Sequence, residues 1–181
     1  MDIAIVVTPD ELRQLLSYDP DSGKLFWKSQ PASCFKNEGA AKAWNSRFSG
    51  KEAFKSPHIC GYLAGCIRYK KYLAHRVGWA IYHGQWPAEQ IDHINGDKKD
   101  NRIANLREAT RSENAHNVKR TCRNISGFKG VSFDTNRQKW ISSILCDGKQ
   151  RHVGRFDTAE AAYAAYCKAA LKYHGEFARL E

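Results

Sequence analysis

The chain has 181 residues, with 29 lysines and arginines against 19 aspartates and glutamates, giving a formal charge of +10 at pH 7. This length holds one ordinary core or two small domains in tandem. The stretches 1–90, 91–125 and 126–181 are each basic, which excludes an acidic regulatory tail and points to a polyanionic partner, nucleic acid ahead of a membrane surface.

The apolar run Ile3 to Val7 has no basic flank and is too short to span a bilayer, so it predicts a strand or a disordered lead-in. With no secretory leader and no Cys-x-x-Cys pair, the six cysteines read as reduced thiols in a cytoplasm. Thr8-Pro9-Asp10-Glu11 predicts a helix start with Thr8 as N-cap and Glu11 completing a capping box, the helix ending near Tyr18. Asp19-Pro20-Asp21-Ser22-Gly23 is turn chemistry, and Leu25-Phe26-Trp27 reads as a strand. Residues 29–58 give no clean period and read as loop-rich. The pattern from Gly61 to His75 predicts a hairpin with a Lys70-Lys71 corner, followed by a helical Val77–Ile81 segment stopped at Gly84 and Pro87. His75-Arg76 is read as scaffold, His75 hydrogen-bonded, with a phosphate clamp as the other possibility. Residues 118–125 read as a basic linker able to lie along phosphates through Lys119, Arg120 and Arg123.

The densest chemistry lies at Ile91-Asp92-His93-Ile94-Asn95-Gly96-Asp97, Asn101 to Arg107, and Thr110 to Asn114. A carboxylate stands beside an imidazole on a predicted strand, and Asn95-Gly96 turns into a polar loop. Residues 105–109 form the return strand, and Thr110 with Glu113 opens a short helix carrying Asn114. Phosphodiester cleavage needs these groups: oxygen ligands for a divalent cation that neutralises charge on the phosphate, and a neutral imidazole to take a proton from the attacking water. Neighbouring strand positions point to opposite faces, so Asp92 and His93 can serve different roles. Asn105 carries amide donors and an acceptor that can bridge the loop and hold His93. Lys98, Lys99, Arg102 and Arg107 are candidate phosphate contacts.

These strings resemble the ββα-metal motif of HNH endonucleases, in particular the phage and intron-encoded homing type. The stretches LLSYDPDSGKLFWK and YLAHRVGWAIYHGQWP are similar to the lead-in of such phage proteins. The resemblance implies Asp92 and Asn114 as ligands of one divalent metal ion, Mg²⁺ first and Mn²⁺ or another divalent ion next. It implies His93 as general base and Asn105 as the structural asparagine. Many members have histidine where this chain has Asn114, and the zinc-binding cysteine pairs of others are absent.

The last third follows another plan. Gly130–Phe133, Lys139–Ile144 and Arg151–Phe156 predict three short strands with turns at Asp134–Gln138 and Asp147-Gly148. Asp157 as N-cap, with Glu160 at the capping-box position, predicts a helix ending at Gly175, its stripe Ala162, Tyr166, Ala169 and Tyr173 forming the core. Through its GV, KW, VGRF and DTAEAAYAAYCKAA strings this segment resembles the AP2/ERF DNA-binding domain, which lays a three-stranded sheet in the major groove. That resemblance implies Lys129, Ser132, Asn136, Ser143, Gln150 and His152 facing DNA, with Arg137, Lys139, Arg151 and Arg155 on phosphates.

The expected fold class is α+β: a small N-terminal α+β scaffold with a ββα-metal HNH unit (1–117, core about 90–117), a basic linker (118–125), and an AP2-like three-stranded antiparallel sheet packed on one helix (126–181). The expected activity is hydrolysis of double-stranded DNA to 5′-phosphate and 3′-hydroxyl ends by a monomer or DNA-assisted dimer. Nicking is expected, without membrane or small-molecule cofactor, in the cytoplasm of a bacterial host if the protein is phage-encoded. The alternatives are a DNA-binding regulatory protein with an inactive HNH fold and a nuclease of structured RNA.

Overall fold

A computed structural model describes residues 7–117, 124, 126–146 and 148–180. The expectations for residues 3–6, for Lys119, Arg120 and Arg123, and for Asp147 lie outside the described residues. The chain divides into two compact units, Met1–Glu108 and Ala109–Glu181.

The first unit opens with α1 (Pro9–Leu15), capped by a reciprocal Thr8/Glu11 box. The helix stops three residues before the expected Tyr18. Leu16 is already extended and begins β1 (Leu16–Asp19), which pairs antiparallel with β2 (Lys24–Trp27) across the Asp-Pro-Asp-Ser-Gly turn. Residues 29–58 are more ordered than their pattern suggests. They contain α2 (Glu38–Phe48), capped by the Asn37 side chain, and the two-residue strands β3 (Glu52–Ala53) and β4 (Ser56–Pro57). The helix is hard to read because it buries only Ala41, so its sequence lacks the broad apolar stripe of a core helix. Its Trp44 and Phe48 line, with Trp27, Phe35 and Ile67, a half-open cavity of about 580 Å³.

The expected hairpin is β5 (Leu63–Ile67) with β6 (Lys70–Leu73), paired Ala64 to Leu73 through Ile67 to Lys70. Its corner is Arg68-Tyr69 rather than Lys70-Lys71. Both residues take positive φ, 49° and 64°, the twist a two-residue hairpin turn requires. Helix α3 (Ala74–His83) follows directly and is closed by left-handed Gly84. Leu12, Leu16, Leu25, Phe54, Ile67, Val77 and Ala80 form the core, which Val7 joins. Strand β7 (Gln90–His93) pairs with β8 (Leu106–Ala109) in a two-stranded sheet.

In the second unit, α4 (Arg111–His116) starts at the expected Thr110/Glu113 capping box. The division at 108/109 places this helix in the same unit as the C-terminal sheet. Of the proposed linker only Asn124 is described; its amide donates to the carbonyl of Phe128 at 2.6 Å. Strands β9 (Val131–Asp134), β10 (Lys139–Cys146) and β11 (Lys149–Phe156) form an antiparallel sheet with β10 central. Helix α5 (Ala159–His174) packs Ala162, Tyr166, Ala169 and Ala170 against one face. Two expectations shift here. The N-cap is Thr158, whose hydroxyl accepts from the amide of Ala161, one residue after Asp157. Tyr173 is 40% exposed and lies outside the buried stripe. Asp157 is spent on an ion pair with Lys139.

Candidate active site

Strand β7 buries Ile91, Asp92 and His93 in a row, the last two each 4% exposed. Charged and polar groups at that depth need partners, and both have them. Arg107, across the two-stranded sheet on β8, donates to Asp92 Oδ2 from Nε at 2.9 Å and from Nη2 at 2.8 Å. The guanidinium is thus an ion-pair partner inside the site rather than the outward phosphate contact expected of it. His93 Nε2 lies 3.1 Å from Asn101 Oδ1. An amide oxygen only accepts, so Nε2 carries the proton and Nδ1 the basic lone pair. Burial pushes the His93 pKa below the ordinary imidazole value, against the opposing pull of Asn101 and nearby aspartates, which keeps the ring neutral.

Asn101 is thus a hydrogen-bond partner of the His93 ring, and Asn105 bridges the loop that follows it. Its Oδ1 accepts from the amide of Asn95 at 3.0 Å, and its Nδ2 donates to Asn95 Oδ1 at 3.1 Å and to the carbonyl of Asp100 at 2.8 Å. Its own carbonyl accepts from the amide of Ile94 at 2.9 Å. Replacing Asn105 with alanine strands these partly buried groups, and the full-length protein should lose about 2–4 kcal/mol by denaturant titration. A loss under about 1 kcal/mol would show that the loop does not depend on this side chain.

The position of Asn101 is set by residues far away in sequence. The Tyr18 hydroxyl donates to its carbonyl at 2.7 Å. Gly23, at φ +71°, lets the β1–β2 turn close on it; a Cβ there would stand 2.3 Å from the Asn101 carbonyl carbon. Gly78 on α3 allows Tyr18 its place, since a Cβ would meet the phenol ring at 2.7 Å. The scaffold thus reaches the imidazole through one asparagine. Asp100 beside it is held by Arg102, whose guanidinium lowers that carboxyl to about 2. Arg102 remains 55% exposed at the rim, as a phosphate contact requires.

His75, on the first turn of α3, lies next to His93 with ring centroids 5.0 Å apart. It is not the hydrogen-bonded scaffold residue expected, because its Nδ1 is buried without a partner. Arg76 does fulfil the scaffold reading, donating to the carbonyls of Glu89 and Pro87. Asn114 sits on α4, in the second unit, its amide bonded to the Thr110 carbonyl at 3.0 Å.

Among the described residues no group of three or more His, Cys, Asp or Glu is placed to hold a metal ion. The expected pair, Asp92 with Asn114, is of a different composition, one carboxylate and one amide oxygen. Such hard oxygen donors suit Mg²⁺ or Mn²⁺, whose remaining positions water commonly fills. Arg107 bonds Asp92 through Oδ2, and a carboxylate is by its chemistry suited to a hard divalent cation.

On the C-terminal sheet, register decides which candidates share a face. Ser142, Ile144 and Cys146 are buried toward α5, so Ile141, Ser143 and Leu145 face away. Opposite them stand Ser132 and Arg155, His152 and Gln150, respectively. Ser132, Ser143, Gln150, His152 and Arg155 thus form one exposed surface, with Gln150 Nε2 donating to Ser143 Oγ at 2.9 Å. At the strand end, Asp134 accepts from the amide of Asn136 and lies 3.6 Å from Arg137 and 3.8 Å from Arg155. Two candidates sit elsewhere. Arg151 is opposite buried Ile144, with its guanidinium over the Tyr173 ring on the helix side. Lys129 is half-buried and donates to the carbonyl of Arg179, and burial lowers its pKa.

A family model described as HNH endonuclease matches residues 72–116, and one described as AP2 domain matches residues 126–176. Protein 3.8 of Escherichia phage T7 is 34% identical over 112 residues, covering 61% of this chain and 92% of that protein. APETALA2-like protein 2 of rice is 46% identical over 50 residues, 28% of this chain and 12% of its own length. The AP2-like ethylene-responsive transcription factor TOE2 of Arabidopsis thaliana matches equally well over 10% of its length. A solved structure described as DNA binding and cleavage by the HNH homing endonuclease I-HmuI aligns at 18% identity and a TM-score of 0.37, covering 88% of this chain and 84% of that one.

Proposed function

Because the chain belongs to the HNH endonuclease family and carries an AP2 domain behind its nuclease unit, we propose that it is a metal-dependent DNA endonuclease of the homing type, using the AP2-like sheet to hold its target. The observation that carries this reading is a neutral, buried imidazole with its proton fixed on Nε2 by Asn101, directly beside a buried carboxylate. His93 Nδ1 takes the proton from a water whose oxygen attacks the phosphorus; the P–O3′ bond breaks, leaving a 5′-phosphate and, once protonated, a 3′-hydroxyl. Asp92 and Asn114 are the residues that would hold the divalent cation, Mg²⁺ first, which supplies charge neutralisation at the phosphate when bound. Asn101 and Asn105 act as positioning residues, one on the base and one on the loop. A single such centre cuts one strand, so the expected product is a nick unless two chains assemble on the duplex. A cytoplasmic setting in a phage-infected bacterium fits this reading.

A second reading is favoured by one observation, the guanidinium of Arg107 seated on Asp92. If that ion pair excludes a cation, the protein is a DNA-binding regulator with an inactive HNH fold. A supercoiled-plasmid assay with Mg²⁺ or Mn²⁺, and with EDTA as control, separates the two. Nicked product that EDTA abolishes supports the nuclease; tight duplex binding with no product in either metal supports the regulator.

The target-binding surface has its own test. Exchanging both His152 and Arg155 for alanine should weaken duplex affinity about 30-fold or more, since each well-placed contact contributes about 1–3 kcal/mol and the two together at least about 2 kcal/mol. Arg151→Ala, on the helix side of the sheet, should change it less than about threefold by fluorescence anisotropy at fixed salt. The reverse order would mean that this sheet face is not the one that meets DNA.

A further inference from the structure

A polar and an apolar side chain stand next to each other on the open face of the C-terminal sheet. The pairing of β10 with β11 sets Leu145 directly opposite Gln150, and Ser143 directly opposite His152, on the side turned away from α5. Cβ atoms of such pairs are about 5 Å apart. Leu145 is 53% exposed, an isobutyl group held out beside an exposed carboxamide. That carboxamide is tethered: Gln150 Nε2 donates to Ser143 Oγ at 2.9 Å, so the long side chain lies diagonally across the two strands.

A primary amide has two N–H donors and one carbonyl oxygen. The bond to Ser143 uses one N–H of Gln150, which leaves one donor and one acceptor side by side. In the major groove adenine is the base with the matching edge, its N7 acceptor next to its N6 amino donor. Guanine offers two acceptors, N7 and O6, so its O6 would meet the Gln150 oxygen, acceptor against acceptor. Cytosine shows a donor with no acceptor of its own beside it, and thymine shows an acceptor beside a methyl group. Base pairing then gives the second side chain a use. Wherever adenine stands, thymine stands across from it, and an apolar side chain such as Leu145 is the group that packs on a thymine methyl. A flexible glutamine loses rotamer entropy when it is fixed on a base, and the Ser143 bond restricts Gln150 before any duplex arrives.

We propose that Gln150, held by Ser143, reads one adenine of the target duplex while Leu145 packs on the methyl group of a thymine in the same or the neighbouring base pair, making the sheet selective for A·T there. This rests on the reading that the open face of the sheet meets DNA, and it names the base that the face selects.

The test uses the full-length protein in EDTA, so that binding is read without cleavage. A duplex is selected from a randomised library at fixed salt, and its affinity is measured by fluorescence anisotropy after single base-pair exchanges. Wild type should show an A·T position whose exchange for G·C weakens binding about tenfold or more, in the range of one bidentate base contact. 7-Deazaadenine at that position, which lacks the N7 acceptor, should weaken binding at least about threefold, and uracil in place of the contacted thymine about twofold to threefold. Gln150→Ala should bind the A·T and G·C versions within about twofold of each other, and Leu145→Ala should lose the difference between thymine and uracil. Gln150→Arg, whose guanidinium suits the two acceptors of guanine, should reverse the preference at this position, a result that a purely structural glutamine would not give. Melting temperatures check that the variants fold; should alanine at position 150 lower that of the protein, Gln150→Met, of similar length without hydrogen-bonding groups, carries the same comparison. If Gln150→Ala keeps every A·T preference of wild type, or selection enriches no A·T position, the proposal is overturned while the DNA-binding reading stands. A wild-type protein that binds no duplex overturns both.

Discussion

Changing His93 to alanine should lower plasmid cleavage by about 10³-fold, within the range that loss of a general base produces, while duplex affinity should stay within about twofold, because the proposed base would contact a water rather than the duplex. Asn101→Ala gives an intermediate loss, since it leaves the imidazole in place but removes the acceptor that fixes its proton on Nε2. The pH dependence has a definite sign. Burial is the largest influence on His93 and disfavours its charged form, so the folded-state pKa lies below 6.5. The reactive neutral form is retained as pH falls through that value, and the acid limb of kcat/KM should descend below the ordinary imidazole range. An acid limb centred above 6.5, or an alanine variant as active as wild type, would remove His93 from the role of base.

Much of this site is legible because its signals are local. Thr8 and Thr110 with glutamate three residues on, and Gly84 after α3, act through bonds within one helical turn, and the fold places each as its sequence suggests. Asp92 beside His93 is likewise visible from residue type and a strand pattern. What sequence hides is contact at long range. Asn101 belongs to a polar loop string and carries no mark of its own. Its role comes from Tyr18, 83 residues away, and from a glycine turn that presses on its backbone. His75 looks like an ordinary helix-start histidine until the fold brings its ring to 5.0 Å from His93.

The same limit explains the sheet and α2. Along β11, alternation sets Gln150 and His152 on one face and Arg151 on the other, and Arg155 joins the first face only because the register shift between Ser142 and Ser143 leaves Val153 without an opposite residue. Helix α2 escapes detection because Trp44 and Phe48 face a half-open cavity beside Trp27 and Phe35 rather than a sealed core. Its apolar residues therefore do not form the stripe by which a core helix is recognised.

The ion pair of Asp92 with Arg107 carries the other large effect, and it separates structure from chemistry. The Asp92 and Arg107 side chains are only 4% and 14% exposed, so removing either leaves a charge with little water to solvate it, at a cost of about 3–5 kcal/mol. For a small domain that corresponds to a fall in melting temperature on the order of 10 °C or more. Asp92→Ala should therefore melt early and be inactive whatever metal is added, because it loses both the ion pair and the proposed ligand. Arg107→Met should behave differently. In EDTA it melts early for the same reason, but the carboxylate it strands is the one assigned to the cation. Binding to the native state alone stabilises by mass action, so millimolar Mg²⁺ should raise the melting temperature of Arg107→Met by more than it raises that of wild type, where the guanidinium competes. Differential scanning calorimetry in EDTA and in Mg²⁺ measures both quantities. An Arg107→Met protein that melts early and gains nothing from Mg²⁺ or Mn²⁺ would show that Asp92 serves the fold alone. That outcome would shift the assignment to the DNA-binding regulator, for which the Asp92–Arg107 pair is a structural substitute for a metal site.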